Sequence, residues 1–210
     1  MRRGGKPLAL YLVVLLGALV ILVPFYMILV NSFKGIRESA LFGMGLPSEW
    51  LFGNYEKVFE QGNILRGFKN SFLLAGLTVL CVNLFASMAA FVIQRRDDRL
   101  MRSLYTTFIL GLIVPVSIVP TIRLMDMLGI KGTYFSMIMY YTAVLLPFSV
   151  FLLVGFMKQI PRELDEAAMI EGAGFFRLYF RIVLPLLITV LVTVSIVVIV
   201  SVWNDFFGPF

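Results

Sequence analysis

The chain has 210 residues, 60% of them hydrophobic and 14% charged, with a formal net charge of +6 and a mean hydropathy of +0.95. Average soluble domains carry about 25% charged residues and about 45–50% apolar ones, so a water-soluble fold of this length would lack the polar surface to cover itself. A single cysteine, Cys81, excludes a disulfide framework, and the absence of histidine excludes histidine-based zinc sites, His-containing triads and imidazole proton shuttles.

Charged residues leave five empty windows, at 7–33, 70–94, 103–122, 132–157 and 182–204, of 27, 25, 20, 26 and 23 residues. A helix needs about 20 apolar residues to cross the hydrocarbon core. Without water to satisfy the backbone, such runs must be helical. The windows predict an all-α polytopic membrane protein with five transmembrane helices, at about 8–30, 71–93, 103–122, 134–156 and 184–203, within one domain covering 1–210.

The first run follows Arg2, Arg3 and Lys6. It is longer than the apolar region of a signal peptide, about 7–15 residues, and no A-x-A site follows, so it reads as a retained signal-anchor. With the N-terminus in the cytoplasm, 11 of the 18 Lys and Arg residues fall inside and 7 outside. That bias follows the positive-inside rule. The same basic residues are split among short loops, which gives no continuous patch for a nucleic acid.

An outer loop at 34–69 follows, containing Pro47 and a short helical candidate at 54–60 opened by Asn54 as N-cap. Pro115 and Pro120 should kink or end the third span, and Pro147 the fourth. Arg123 and Asp126, three apart, have the spacing of an i,i+3 ion pair and no assigned role.

The loop at 158–183 is the most informative stretch. Pro161 suits the first turn of a helix. Glu163, Asp165 and Glu166 then lie near the positive end of the helix dipole, and Gly172 and Gly174 supply a stop and a tight turn. A second helix is predicted from about Phe175 into the fifth span. At 100° per residue Phe175, Phe176, Tyr179 and Phe180 share one arc, with Arg177 and Arg181 on the other side. The result is a cytoplasmic helix-turn-helix whose aromatics serve either to dock a partner or to pack against the protein's own spans.

Glu166-Ala167-Ala168, three residues, Gly172, nine residues, Ile182, one residue and Leu184-Pro185 together resemble the EAA signature of binding-protein-dependent ABC importer permeases. Beyond the loop, the chain is similar to the smaller permease of maltose-type carbohydrate importers. The matching stretches are Asn31-Ser32-Phe33-Lys34, Gly53-Asn54-Tyr55, Asn70-Ser71, Ile160 to Leu164, and Trp203-Asn204-Asp205-Phe206. The resemblance implies that Glu166, Ala167, Ala168, Gly172, Phe175 and Phe176 dock an ATP-hydrolysing subunit. Small alanines allow close helix approach, glycine permits the turn, and a glutamate offers a charged contact to a basic partner.

The resemblance also implies the partners: a second, related permease, an ABC ATPase dimer, an extracytoplasmic substrate-binding protein and membrane lipid. The location it implies is a bacterial inner (cytoplasmic) membrane. Relatives continue past the Trp-Asn-Asp-Phe stretch into a sixth span, so the resemblance further implies a C-terminally incomplete chain.

There is no G-x-x-x-x-G-K-[ST] phosphate loop. The expectation is therefore a transporter subunit without catalytic residues or cofactor of its own, ATP and magnesium being held by the partner ATPase. No ionisable residue lies inside any window, which removes the main carriers of proton-coupled transport. Amides, hydroxyls and aromatic rings suit a sugar path, and Asn83, Tyr140 and Asn204 are the candidates, although such residues also knit neighbouring helices together. Cys81 reads as simple packing. Glycerol-phosphate, polyamine or another small solute remains open as cargo, as does a purely structural membrane subunit. No H-E-x-x-H, G-x-S-x-G or intramembrane carboxylate pair supports an intramembrane enzyme.

Overall fold

The computed structural model describes residues 6–205, and side chains from 10 onward; Arg2, Arg3, the Lys6 side chain and Phe206 lie outside this description. Among the described residues there are ten helices and no strand. Their bounds are α1 (Lys6–Ser32), α2 (Ile36–Ser39), α3 (Gly53–Gln61), α4 (Ile64–Arg95), α5 (Arg99–Ile113), α6 (Ile118–Met127), α7 (Tyr134–Met157), α8 (Glu163–Ile170), α9 (Phe175–Leu186) and α10 (Ile188–Asn204). Three of them, Leu10–Ser32 of α1 together with α4 and α7, are long and apolar enough to cross a membrane. Counting each of two bent helix pairs as one span makes five.

The chain divides into two compact units, 1–67 and 68–210. In the first, α1 is apolar on all sides, and its exposed side chains include Leu12, Leu16, Ile21 and Phe25. Its end is sealed by polar side chains. Lys34, 5% exposed, donates to Asn31 Oδ1 at 3.1 Å and to the Gly43 carbonyl at 2.9 Å. Phe33 meets the rings of Trp50, Phe52 and Tyr55 at 5.1–5.3 Å. Asn54 is not the N-cap expected from the sequence: α3 begins at Gly53 without a side-chain cap. Its amide instead donates to the carbonyls of Ser32 and Lys34, both at 3.0 Å. The last carbonyls of a helix have no partner within it, and the Asn54 amide supplies donors there.

The second unit is held by stripes at fourfold spacing. On α4 the buried residues include Leu74, Thr78, Val82, Ala86 and Ala90; on α10 they are Val190, Val194, Val198 and Val202. Residues four apart share one helix face, and small ones let backbones approach. The core centres on α7, which packs against both α5 and α10 through residues such as Val150, Leu153 and Val154. A Cβ added at Gly111 of α5 would lie 3.1 Å from Pro147 Cγ of α7, so a side chain there would make the two helices give by a few tenths of an ångström. At the opposite end of α7, Tyr134 Oη donates to Asn70 Oδ1 at 2.8 Å, and Phe68 meets Trp203 edge-on at 5.3 Å.

Proline acts differently at three places. Val114 ends α5 in extended backbone (φ −73°, ψ 118°), as the residue before a proline prefers. α6 then starts after Pro115, at an angle of 119° to α5, so the third expected span is two helices rather than one. Pro120 sits in the first turn of α6, where its missing N–H has no intrahelical partner to lose. Of the two outcomes expected at Pro147, an end is not seen: α7 runs on through it as one helix. Around Pro185, α9 winds as a π-helix over Tyr179–Val183, and α10 leaves it at 73°. The helix predicted from Phe175 into the fifth span is therefore bent at Leu187. Asp126 also departs from expectation: its ion pair is with Lys131, at 3.8 Å, and not with Arg123.

Candidate coupling site

Residues 158–186 build a hairpin against the C-terminal turns of α4. Pro161 lies just outside α8, whose first turn starts at Glu163 and carries Glu163, Asp165 and Glu166. The three acids differ in exposure: Glu163 and Glu166 face solvent, while Asp165 is 6% exposed. Its partner is Arg95, the last residue of α4. Arg95 Nη2 donates to Asp165 Oδ1 at 3.2 Å, and Nε lies 2.5 Å from Oδ2 without the alignment of a hydrogen bond. Arg95 Nη1 donates to the Ile160 carbonyl at 3.4 Å, and Arg162 Nη2 donates to the Gln94 carbonyl at 3.0 Å. The guanidinium therefore grips both sides of the Pro161 turn, a use of its rigid fork that lysine cannot copy.

The turn after α8 requires glycine at one position. Gly172 has φ +81°, in the left-handed region that side chains resist. Gly174 is ordinary extended backbone (φ −72°, ψ 166°) at the N-cap of α9, so the tight turn belongs to Gly172 alone. Of the residues the sequence nominated for docking, Glu166, Ala167, Gly172, Phe175 and Phe176 are exposed, and Ala168 is 5% exposed and faces the core. The aromatic arc does not hold together as one surface. Phe176 is 70% exposed, whereas Tyr179 is 2% exposed and packs at 5.4 Å from the ring of Phe91. Phe175 touches the same Phe91 at 5.0 Å.

A second polar locus lies further along α4. Ser87 and Tyr179 share a hydrogen bond of 2.6 Å. A serine hydroxyl has one proton, and that of Ser87 goes back to the Asn83 carbonyl, which makes Tyr179 the donor. Asn83 Nδ2 donates to Ser195 Oγ of α10 at 2.8 Å, and Asn83 Oδ1 is buried without a hydrogen-bond partner. Asn83, Ser87 and Tyr179 border an open cleft of about 370 Å³, walled by Leu184, Pro185, Ile188 and Leu191. Tyr140 and Asn204 lie elsewhere. Tyr140 packs on Tyr141 at 5.3 Å, and Tyr141 Oη donates to Asp205 Oδ2 at 3.0 Å, next to Asn204. Asn204 itself donates to the Val200 carbonyl and is exposed. The three candidates for a substrate path are thus divided between two places. Cys81, half-buried, is a free thiol.

Outside the spans, Asp98 caps α5. It accepts the Met101 N–H at 2.9 Å and pairs with Arg96 at 2.9 Å. The Met101 hydrogen bond, with the Arg96 guanidinium after it, holds this carboxyl below the usual aspartate range.

Sequence reasoning missed Asp165 and Arg95 as a pair because they lie 70 residues apart. A signal was available: Asp165 follows the arc of α8 that carries Ala168, three residues on, toward the core.

Three long apolar helices and two bent pairs define a class, the all-α polytopic membrane protein. A profile of the family described as "Binding-protein-dependent transport system inner membrane component" matches residues 82–209, and the chain belongs to this family. It is a multi-pass protein of the cell membrane. Among its relatives is the diacetylchitobiose uptake system permease protein NgcG of Streptomyces coelicolor, 31% identical over 93% of this chain and 65% of the relative. The melibiose/raffinose/stachyose import permease protein MelC of Bacillus subtilis is 32% identical over 97% of this chain and 76% of its own length. The trehalose/maltose transport system permease protein MalG of Thermococcus litoralis is 31% identical over 80% and 62%. The chain thus spans between 62% and 76% of the length of these three relatives.

Proposed function

We propose that this chain is a permease subunit of an ATP-driven sugar importer. It receives a sugar or oligosaccharide from an extracytoplasmic binding protein and couples to a separate ATPase through the α8–α9 hairpin. A second permease completes the translocation path, and two ATPase subunits bind and hydrolyse ATP with magnesium on the cytoplasmic side. The chain holds no nucleotide, metal or catalytic group of its own in this reading, and its N-terminus is cytoplasmic. The relatives named for diacetylchitobiose, melibiose and maltose support a sugar as cargo.

The observation that carries the reading is the exposure of Glu166, Ala167 and Gly172 on a hairpin that is anchored at its base by the buried residues Asp165, Ala168 and Tyr179. A fixed base and a free rim are what a docking element needs. ATP-driven approach of the ATPase pair would push on this rim and turn the path from inward-facing to outward-facing, and the binding protein would then release its sugar. The path has no charged side chain in its apolar windows, which suits a neutral cargo held by hydroxyls, amides and rings.

The test is uptake of radiolabelled melibiose, maltose and diacetylchitobiose in proteoliposomes holding the full complex, with spermidine and glycerol 3-phosphate as contrasting cargoes. Glu166→Lys or Gly172→Trp is expected to abolish sugar uptake and to lower co-purification of the ATPase. Normal uptake in both variants sinks the docking site. Uptake of spermidine or glycerol 3-phosphate alone moves the cargo and leaves the coupling role standing.

A further inference from the structure

Positions 83, 87, 91 and 95 stand four apart on α4, so their side chains share one face over about 18 Å of helix. Each meets the C-terminal third of the second unit. Asn83 binds Ser195, Ser87 binds Tyr179, Phe91 packs between Phe175 and Tyr179, and Arg95 binds Asp165. We propose that the Arg95–Asp165 pair is a positioning element that fixes the hairpin to α4 and passes its displacement on to the cleft beside Asn83. The proposal rests on the coupling role given above and assigns its internal route.

Three features make the link mechanical. First, Arg95 grips Ile160 and Asp165 on either side of the turn that enters α8, so α8 cannot shift without moving the end of α4. Second, Phe91 is 1% exposed and touches two rings of α9 at once, which leaves it no room to slip. Third, α9 is a single element with two jobs. It carries Phe175 at the hairpin, and it lines the cleft with Tyr179, Leu184 and Pro185. The π-helical turn at Tyr179–Val183 lies between those two jobs, and such turns are frequently placed at functional sites. A push on the hairpin rim therefore reaches the cleft through α9 directly, with α4 as the rail against which it is measured.

Contact alone does not establish coupling, so the test reads coupling itself. Asp165→Asn, Arg95→Lys and the exchange Arg95→Asp with Asp165→Arg are made in the full chain. Each is assembled with its ATPase, second permease and binding protein in proteoliposomes, and assayed with radiolabelled melibiose, maltose and diacetylchitobiose. Asp165→Asn is expected to keep co-purification of the ATPase and its ATP hydrolysis. It should lose about tenfold in sugar taken up per ATP, in the range of ordinary coupling energies. The exchange variant, which restores the pair with its charges reversed, should recover part of that loss, and a variant that lost only stability would keep its sugar taken up per ATP.

Unchanged uptake per ATP in Asp165→Asn overturns the proposal, as does loss of ATPase co-purification, which would make the pair a docking contact. If Asp165→Asn fails to accumulate, Arg95→Lys decides the same question, because it keeps the charge and gives up the two-sided grip. A wild-type chain that binds no ATPase would instead overturn the functional reading and leave this geometry unexplained.

Discussion

The two ends of the α4 face are built from different chemistry. At Arg95 a charged pair joins the helix to a hairpin; at Asn83 a neutral amide reaches the Ser195 hydroxyl of another long helix. Arg95 stands just past the charge-free window 70–94, and Asn83 lies in its middle. A charge near the centre of a bilayer is costly, whereas neutral amides and hydroxyls pass there with a single partner. The strong, directional contact is thus placed where water and headgroups are within reach, and it holds the piece that is to be moved. The weak contact holds spans that hydrocarbon already confines.

This contrast sets an order of expected effects. Arg95→Ala should cost most, about 3–5 kcal/mol, because it leaves Asp165 buried without its cation. Thermal melting in detergent, followed through the reactivity of Cys81, would report it. A loss under about 1 kcal/mol would place the pair with ordinary exposed ion pairs and erase the difference between the two ends. Gly172→Ala should cost about 1–2 kcal/mol, the penalty for a side chain at φ +81°, with Gly172→Asn milder because asparagine tolerates that region. Equal stability of the alanine variant and wild type in the same melts would show that the hairpin can re-form its turn.

Asn83→Ala should cost only about 0.6 kcal/mol, the average for polar contacts between membrane helices. A cost as large as that of Arg95→Ala would mean that the middle of α4 is held as tightly as its end. The smallest effect is expected at Asp98, beyond the hairpin end. Its carboxyl titrates lower in the folded protein than in the unfolded chain, so its stabilising contribution is complete above the ordinary aspartate range. That contribution is lost as the pH falls through the lowered folded value. Asp98→Asn keeps a capping side chain without the charge, and the gap between the two melting curves should shrink in acid. A gap that does not change with pH would remove the carboxylate from the cap.

Much of this arrangement was readable along the chain. Charge-free windows anticipated α1, α4 and α7, because the bilayer forces each to be one long apolar helix. Glu166, Ala167, Ala168 and Gly172 stood out by their spacing, and the structure places them on one short helix and its turn. The third span was less legible. Pro115 divides it as expected, since the residue before a proline is driven out of the helical region, but the 119° turn into α6 was not readable from the sequence. Asn54 was misjudged because a local rule for helix starts competes with a distant demand, the unpaired carbonyls at the end of α1. The arc of Phe175, Phe176, Tyr179 and Phe180 was open between docking and packing, and only the tertiary structure divides it, with Tyr179 packed on Phe91 and Phe176 left exposed.

Local chemistry therefore settled which segments enter the membrane, where the hairpin lies and where glycine is obligatory, since each depends on hydropathy or backbone sterics within a few residues. Folding settled which acid of α8 turns inward, which arginine meets it, and that Asn83, Ser87, Phe91 and Arg95 each find a partner along one face. Those facts depend on segments separated by 65–112 residues, and no pattern within α4 or α8 alone contains the distance between them.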